Sequence, residues 1–273
     1  MNKSSVQQVS IQRIQAGKTE LESDLLVVEE PLQILLRYGP EDERKEMSLS
    51  VTMRTPGQDF ELVLGFLLTE GIVESANQIK QIWHCTLVKP EEQGNTVKVE
   101  LNADVNWDSS RFSRNFYMSS SCGVCGKSSI EAVMQNCPIN SRKIELPENH
   151  ILMQLPDALR EKQLAFRFTG GIHAAALFNF KGEIEFVRED VGRQNAMDKL
   201  VGATHGLIQE ERQKLGVLLS GRLSFELIQK IAMAGFPLVC SIGAPSSLAI
   251  KLASDAGIRV VGFLKPDRFN VYC

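Results

Sequence analysis

The chain has 273 residues, of which 43% are hydrophobic and 23% charged, close to the usage of ordinary globular proteins. Its formal net charge of −3 lacks the basic surplus of nucleic-acid-binding proteins, so we expect no nucleic-acid partner. No apolar run approaches the roughly 18 residues of a membrane-spanning helix, and the polar first residues lack the apolar core of a signal peptide. The sequence therefore predicts a cytoplasmic protein without membrane association, in a compartment where thiols stay reduced.

Residues 1–118 are predicted to form a small α+β domain. Residues 1 to about 25 are polar and are expected to begin as a loose arm. A Thr-Pro pair followed by an apolar helical face predicts a helix over Asp59 to Thr69. Alternating apolar and polar side chains predict four strands, the last two forming a hairpin, at residues 32–38, 47–53, 79–88 and 95–101.

Residues 119–137 are predicted to be a separate segment, comprising a loop and the helix that follows it. The loop lies in a tract rich in Ser, Asn and Gly, and it contains Cys122 and Cys125 in a CxxC pair. Helical spacing resumes after the pair, with Ser128 or Ser129 as the N-cap.

Residues 138–273 are predicted to form an α/β domain. Short apolar strands alternate with helices of ordinary length, a pattern that indicates βαβ crossovers and a parallel sheet. The strands are predicted at residues 173–180, 183–189, 214–220, 237–243 and 258–264. The helices are predicted at residues 194–204, 224–235 and 245–257.

The CxxC pair is compatible with several chemistries. A structural zinc site needs four ligands, and the other candidates, Cys137, His150, His173 and Cys240, have no second ligand-pair spacing. The zinc-deaminase signature is broken, because Ala175 stands where the catalytic Glu belongs and the CxxC lies upstream of His173.

The CxxC pair can be a zinc site or two unreactive cysteines, and two further interpretations give it a reactive thiol. A thioredoxin-like centre is supported by the following helix, whose N-terminus and Lys127 favour a thiolate, but no parallel strand precedes the pair. A sulfur-carrying nucleophile needs a thiolate of low pKa, access to a donor and mobility, which a glycine-flanked cysteine on an exposed loop is expected to provide.

Two further polar motifs lie in the α/β domain. His173 follows Gly170 and Gly171, which permit a tight turn or a close ligand approach, and it is either a base, a ligand-binding donor or a satisfied core histidine. The polar cluster at 187–202 either positions charged groups at a cleft or forms a solvated turn with internal salt bridges.

Three loops follow successive parallel strands, at residues 218–226, 241–249 and 262–272. Ligands gather at this end of open α/β sheets, and helix N-termini there can bind phosphates. Because Lys265 and Arg268 belong to the last loop, the sequence predicts an anionic, phosphate-bearing ligand, although no Walker or GxGxxG motif is present.

Six motifs resemble, in order, those of the formate dehydrogenase accessory sulfurtransferase family, FdhD: CGVCG, TGGIHAAAL, EDVGRQNAMDK, SGRLSFELIQK, APSSLA and GFLKPDRFNVY. The resemblance covers most of the chain and implies a C-terminal domain with the three-layer fold of cytidine deaminases. One position departs from the family pattern, since Gln194 stands where a His is common. Gln does not titrate near neutral pH, so no proton transfer is expected there.

The resemblance also implies a function. The chain is expected to take sulfur from an L-cysteine desulfurase as a cysteine persulfide and to pass it to the molybdenum cofactor, in its bis(molybdopterin guanine dinucleotide) form, for the formate dehydrogenase apoenzyme. Cys122 would bear the persulfide and Cys125 would assist, with no metal site in the protein and a homodimer as the assembly. The cofactor, or a GDP-like nucleotide, would be bound by Phe263, Leu264, Lys265, Pro266, Asp267 and Arg268.

Two other functions remain open at this point. A non-catalytic chaperone would hold the molybdenum cofactor for formate dehydrogenase without changing it. A zinc-stabilised interaction module would use the CxxC pair as metal ligands.

Overall fold

The computed structural model describes residues 4–86, 89, 92–108, 137–139 and 144–273. Residues 6–27 form a hairpin of two long strands, β1 (Val6–Gln15) and β2 (Lys18–Val27), so the expectation of a loose arm is wrong. Ala16 and Gly17 both have positive φ angles, 49° and 79°, as the two-residue turn of such a hairpin requires. Most of the hairpin is exposed, which explains why its sequence is polar enough to resemble a loose arm.

A four-stranded sheet follows, in the order β4-β3-β6-β5. Its strands are β3 (Glu30–Tyr38), β4 (Lys45–Arg54), β5 (Ile79–His84) and β6 (Thr96–Leu101). Helix α1 (Asp59–Thr69) packs on this sheet through Leu62, Val63 and Leu67. The predicted strands, the helix bounds and the β5–β6 hairpin are confirmed, except that the strand predicted over residues 79–88 ends at His84.

A six-stranded sheet forms the second unit, in the order β12-β11-β10-β9-β7-β8. Its strands are β7 (His173–Asn179), β8 (Ile184–Asp190), β9 (Leu215–Leu219), β10 (Leu238–Ser241), β11 (Arg259–Gly262) and β12 (Asn270–Val271). Strands β9 to β11 are parallel, as predicted. The sheet as a whole is mixed, because β7 and β8 form an antiparallel hairpin and β7 also runs antiparallel to β9.

Helices cover both faces of this sheet and give three layers. On one face, Leu152, Leu155 and Leu159 of an unpredicted helix, α2, pack against the sheet. On the other face pack the three predicted helices, here α4, α6 and α7. The helices of this unit are α2 (Asn149–Lys162), α3 (Leu164–Thr169), α4 (Arg193–Ala203), α5 (Gln209–Arg212), α6 (Phe225–Met233) and α7 (Ser247–Ala256).

The two units meet at a seam, formed by α1, α4, α6 and residues 53–55. A Cβ atom on Gly65 of α1 would lie 1.8 Å from the Asp198 carbonyl oxygen, and one on Gly202 of α4 would lie 1.9 Å from that of Glu61. The backbones of α1 and α4 therefore touch, and only glycine fits at the two crossing points.

The mixed α/β class is as predicted, whereas the boundaries at 118 and 137 and the likeness to cytidine deaminases stay predictions. Within the described ranges, no helix combines the length and apolar character needed to cross a bilayer.

Candidate functional site

Polar and charged groups collect where β9, β10 and β11 end, at what we call the carboxyl edge of the six-stranded sheet. His173 begins β7 and faces Asp190, the last residue of β8, across the β7–β8 pair. Because β7 runs antiparallel to β9, both residues lie at the end of the sheet where β9 finishes.

The three predicted loops meet at this edge. The Gly243 N–H donates to the Gly221 carbonyl at 3.2 Å, and the Phe263 N–H donates to the Gly243 carbonyl at 3.0 Å. The Ser241 hydroxyl also donates to the Gly221 carbonyl, at 2.6 Å. A Cβ on Gly243 would lie 2.8 Å from the backbone nitrogen of Arg222, so the loops can pack this closely only because residue 243 has no side chain. The predicted convergence of the loops is confirmed.

The stretch predicted to bind the cofactor closes the far side of the carboxyl edge. Leu264 is fully buried in the core, whereas Phe263, Lys265, Pro266, Asp267 and Arg268 are exposed. Phe263 has a φ of 52°, a left-handed conformation that is a genuine outlier for a bulky residue, and the residue is 43% exposed. Strained residues of this kind cluster at ligand sites, and an exposed ring offers a stacking surface for a base.

The side chains of Arg193 and His173 border the near side of the carboxyl edge, and the exposed Arg222 follows Gly221 in the chain. The space above Gly221 is bounded by Arg193 and His173: a Cβ on that glycine would lie 3.2 Å from Arg193 Cδ and 3.3 Å from His173 Nδ1. Burial lowers the pKa of His173, with Arg193 and Arg222 adding to the effect and Asp190 opposing it. His173 is therefore neutral at pH 7.

The polar cluster at 187–202 is half-buried up to Gln194, apart from the buried Asp190, and buried from Asn195 onward, so neither sequence interpretation describes it fully. Asp190 accepts hydrogen bonds from the backbone N–H of Thr55 at 3.1 Å, from that of Gly192 at 2.8 Å and from the Asn195 amide at 3.2 Å. Lys199 Nζ lies 2.8 Å from the same carboxylate, and both side chains are fully buried. Burial raises the pKa of Asp190 while Lys199 opposes the rise. These bonds fix the turn that begins α4 at the carboxyl edge.

A second buried ion pair lies at the seam and escaped sequence reasoning. Asp198 contacts Lys230 at 3.0 Å and accepts a hydrogen bond from the Thr69 hydroxyl at 2.7 Å, while Lys230 also contacts Glu70 at 2.9 Å. Burial raises the pKa of Asp198 to about 6, and Asp198 and Glu70 raise that of Lys230 despite its burial. The only sequence signal was a lysine within the otherwise apolar face of α6.

The remaining predicted site residues fall elsewhere. Cys122 and Cys125 lie outside the described residues. Gln194 lines a cavity at the seam together with Ser50, Thr52 and Glu226. Burial raises the pKa of the Cys240, Cys85 and Cys273 thiols, which disfavours their thiolate forms.

Comparisons with known proteins agree on one family. The profile of the FdhD/NarQ family matches residues 27–273. A protein of Streptomyces avermitilis named sulfur carrier protein FdhD is 43% identical over 95% of this chain and 91% of its own length. A protein of the same name from Saccharolobus solfataricus is 36% identical over 98% of this chain and 96% of its own.

One solved structure shows the same fold. It belongs to a protein of Desulfotalea psychrophila assigned as a formate dehydrogenase accessory protein. The two structures superpose with a TM-score of 0.71 over 98% of this chain and 97% of that one, at 23% identity.

Proposed function

Because the chain belongs to the FdhD/NarQ family, we propose that it is a sulfur carrier that serves formate dehydrogenase. It takes sulfur from an L-cysteine desulfurase as a persulfide and delivers it to the molybdenum cofactor in its bis(molybdopterin guanine dinucleotide) form. The observation that carries the proposal is the CxxC pair, Cys122 and Cys125, within a chain about 40% identical to proteins named sulfur carriers.

Loading is a thiol–persulfide exchange. The Cys122 thiolate attacks the terminal sulfur of the desulfurase persulfide, a new S–S bond forms, and the desulfurase cysteine leaves as a thiolate. The terminal sulfur keeps its proton, and no net oxidation occurs. The thiolate form of Cys122 is the reactive species, so loading follows the ionisation of that thiol.

Delivery uses the second cysteine. The Cys125 thiolate attacks the Cys122 sulfur, a Cys122–Cys125 disulfide forms, and the terminal sulfur leaves with the electron pair as hydrosulfide for the cofactor. A dithiol reductant then returns two electrons to the disulfide and restores both thiols. The CxxC spacing suits this exchange because it is the spacing found in disulfide-exchanging proteins.

The residues of the carboxyl edge fit the guanine nucleotide end of the molybdenum cofactor, which is the substrate. The exposed Phe263 ring is suited to stack on a base, and Lys265 and Arg268 supply positive charge beside it. The nested glycines leave the loop backbones open to a close approach by the ligand. The predicted homodimer and the formate dehydrogenase apoenzyme complete the proposed partners.

Intact-protein mass spectrometry tests the proposal. The wild type, Cys122→Ala and Cys125→Ala are incubated with a cysteine desulfurase and L-cysteine, with Cys85→Ala as the control for loss of an unrelated thiol. We expect the wild type, Cys125→Ala and Cys85→Ala to gain the mass of a sulfur atom, reversibly on reduction, and Cys122→Ala to gain none.

The outcome separates the carrier from the cofactor chaperone. A wild-type protein that gains no sulfur yet binds GDP contradicts sulfur carriage and favours the chaperone. Stoichiometric zinc in the purified protein, lost in both Cys122→Ala and Cys125→Ala, favours the zinc-stabilised module instead.

A further inference from the structure

We infer that the cavity at the seam binds one ordered water molecule, which bridges Ser50 of the first unit to Gln194 and Asp198 of the second. This seam cavity is bordered by β4 and α1 on one side and by α4 and α6 on the other. The water site is independent of the proposed function, because it involves neither the CxxC pair nor the loops of the carboxyl edge.

The hydroxyl of Ser50 is buried without a hydrogen-bond partner. The residue is 2% exposed, and its oxygen makes no hydrogen bond with a described residue. Ser50 pairs with Ile34 across β3 and β4, and both side chains line the seam cavity. A buried hydroxyl that is left unsatisfied destabilises a fold, so such groups are usually bonded to protein or to ordered water.

Two groups of the second unit border the same space and can still form hydrogen bonds. Asp198 uses one carboxylate oxygen, Oδ1, for both Thr69 and Lys230, and its Oδ2 accepts no hydrogen bond from a described residue. The side-chain amide of Gln194 likewise makes no hydrogen bond with a described residue. A water molecule among the three groups donates to the carboxylate and to the Gln194 carbonyl oxygen, and it accepts from the Ser50 hydroxyl.

The size of the seam cavity suits a single water molecule. Its volume is about 20 Å³, above the roughly 10–15 Å³ that one water requires. Thr52 and Asn195 also border it, but the Thr52 hydroxyl already donates to the Asn195 carbonyl oxygen at 3.1 Å. Leu62 and Phe66 form an apolar wall. The three bonds to Ser50, Gln194 and Asp198 match the number that a buried water typically makes.

The charges around the seam cavity favour water over a metal ion. Lys230 contacts both Asp198, at 3.0 Å, and Glu70, at 2.9 Å, so an ammonium group already supplies positive charge there. Glu226 borders the cavity and is half-buried. In the part of the chain that the structure describes, no three His, Cys, Asp or Glu side chains are grouped to hold a metal ion.

The water site changes the contribution of Ser50 to the seam. A bridging water is nearly equivalent in enthalpy to a direct hydrogen bond. The hydroxyl therefore stabilises the contact between β4 and α4, whereas without the water it destabilises that contact.

Thermal unfolding of Ser50→Ala tests this contribution through the sign of the change. We expect the unfolding midpoint to fall by about 2–4 °C, because one hydrogen bond to the water is lost. The control is Ser23→Ala, an exposed serine on β2, which should leave the midpoint unchanged. A midpoint that stays constant or rises in Ser50→Ala overturns the water site, because removing an unsatisfied hydroxyl does not cost stability.

A double-mutant cycle tests the bridge itself. Gln194→Met keeps the length of the side chain but removes the amide. Because Ser50 and Gln194 share no direct hydrogen bond, we expect the shift caused by Ser50→Ala to be smaller in the Gln194→Met background than in the wild type. Equal shifts in the two backgrounds overturn the bridge.

A crystal structure of the wild type, at a resolution that shows ordered water, is a measurement that does not depend on how the variants fold. We expect one density peak in the seam cavity, at hydrogen-bonding distance from Ser50 Oγ, the Gln194 amide and an Asp198 carboxylate oxygen. The absence of a peak overturns the water site. A peak surrounded by six or more oxygens at about 2.3–2.6 Å also overturns it, because those distances are typical of a bound cation.

Discussion

The seam and the carboxyl edge use the same kinds of charged residue in opposite ways. At the seam, Lys199 and Lys230 are buried and each contacts a carboxylate within 3.0 Å. At the carboxyl edge, Arg193 and Arg222 contact no carboxylate among the described residues, and His173 is kept neutral.

The difference separates charges that stabilise the contact between the two units from charges that have no carboxylate partner among the described residues. Paired, buried charges hold the two units together, because removing one partner leaves the other as an uncompensated charge buried away from water. Charges that face open space without partners contribute little to folding and remain available to an anion. Asp190 connects the two regions, since it binds Lys199 at the seam and fixes the turn that presents Arg193.

The sharpest test of the seam is Lys199→Met. It leaves the Asp190 carboxylate buried without its cation, and we expect the free energy of unfolding to fall by about 3–5 kcal/mol in urea titrations. Lys251→Met, an exposed lysine on α7, is the control and should change it little. The double variant Asp190→Asn/Lys199→Met should recover part of the loss, and no recovery would contradict the pairing.

Gly65→Ala tests the contact between α1 and α4. Its Cβ would lie 1.8 Å from the Asp198 carbonyl oxygen, so the helices must separate, at a cost of about 3 kcal/mol in unfolding free energy. The control is Gly206→Ala, because a Cβ on Gly206 meets nothing within 4 Å. Equal urea midpoints for the two variants would show that the helices do not touch as described.

Asp198 gives the seam a pH dependence. Its pKa in the folded protein is raised by burial to about 6, above the ordinary value of 3.8 for an aspartate, so the folded state binds the proton more tightly than the unfolded state does. The stabilisation is complete below about pH 4 and is lost as the pH rises to about 6. We therefore subtract the unfolding free energy of Asp198→Asn from that of the wild type at each pH. This difference should be about 2 kcal/mol lower at pH 6.5 than at pH 4.

The control for this titration is Asp255→Asn, an exposed aspartate on α7. Lys230 stays charged throughout, since Asp198 and Glu70 raise its pKa. Parallel pH profiles for the wild type and Asp198→Asn would mean that Asp198 keeps an ordinary pKa.

The smallest effect belongs to the carboxyl edge. Arg222→Gln should change the free energy of unfolding by no more than about 0.5 kcal/mol, because no described partner is lost. The thermal unfolding midpoint should therefore stay almost unchanged. A clear loss of stability would show that Arg222 has a structural role and would remove the contrast between the two regions.

Local periodicity accounts for the parts of the fold that sequence reasoning predicted. The helix over Asp59–Thr69 and the strands and helices after His173 each carry their own apolar pattern. The β1–β2 hairpin is mostly exposed, so its sequence lacks the alternating apolar pattern from which a strand can be predicted. Helix α2 was missed although Leu152, Leu155 and Leu159 lie at helical spacing, and it contains Pro156, which usually ends helices.

The site was predictable only where the chain order determines it. Loops after parallel strands must share one edge, which placed Phe263 to Arg268 beside Gly221 and Gly243. The partners of Lys199 and Asp198 come from distant segments, since Thr55 and Thr69 lie more than 120 residues away in sequence. No local pattern encodes such pairs.

The contact between Gly65 and Gly202 also has a consequence for synthesis on the ribosome. At 5–20 residues per second, α4 emerges on the order of 10 s after α1, and during that interval α1 has no partner for its glycine-bearing surface. In the nascent chain, the packing of the N-terminal unit is therefore incomplete until α4 has been translated. A holdase that covers α1 in this interval would raise the yield of folded protein, and a nascent chain released before Gly202 would be a substrate for proteolysis.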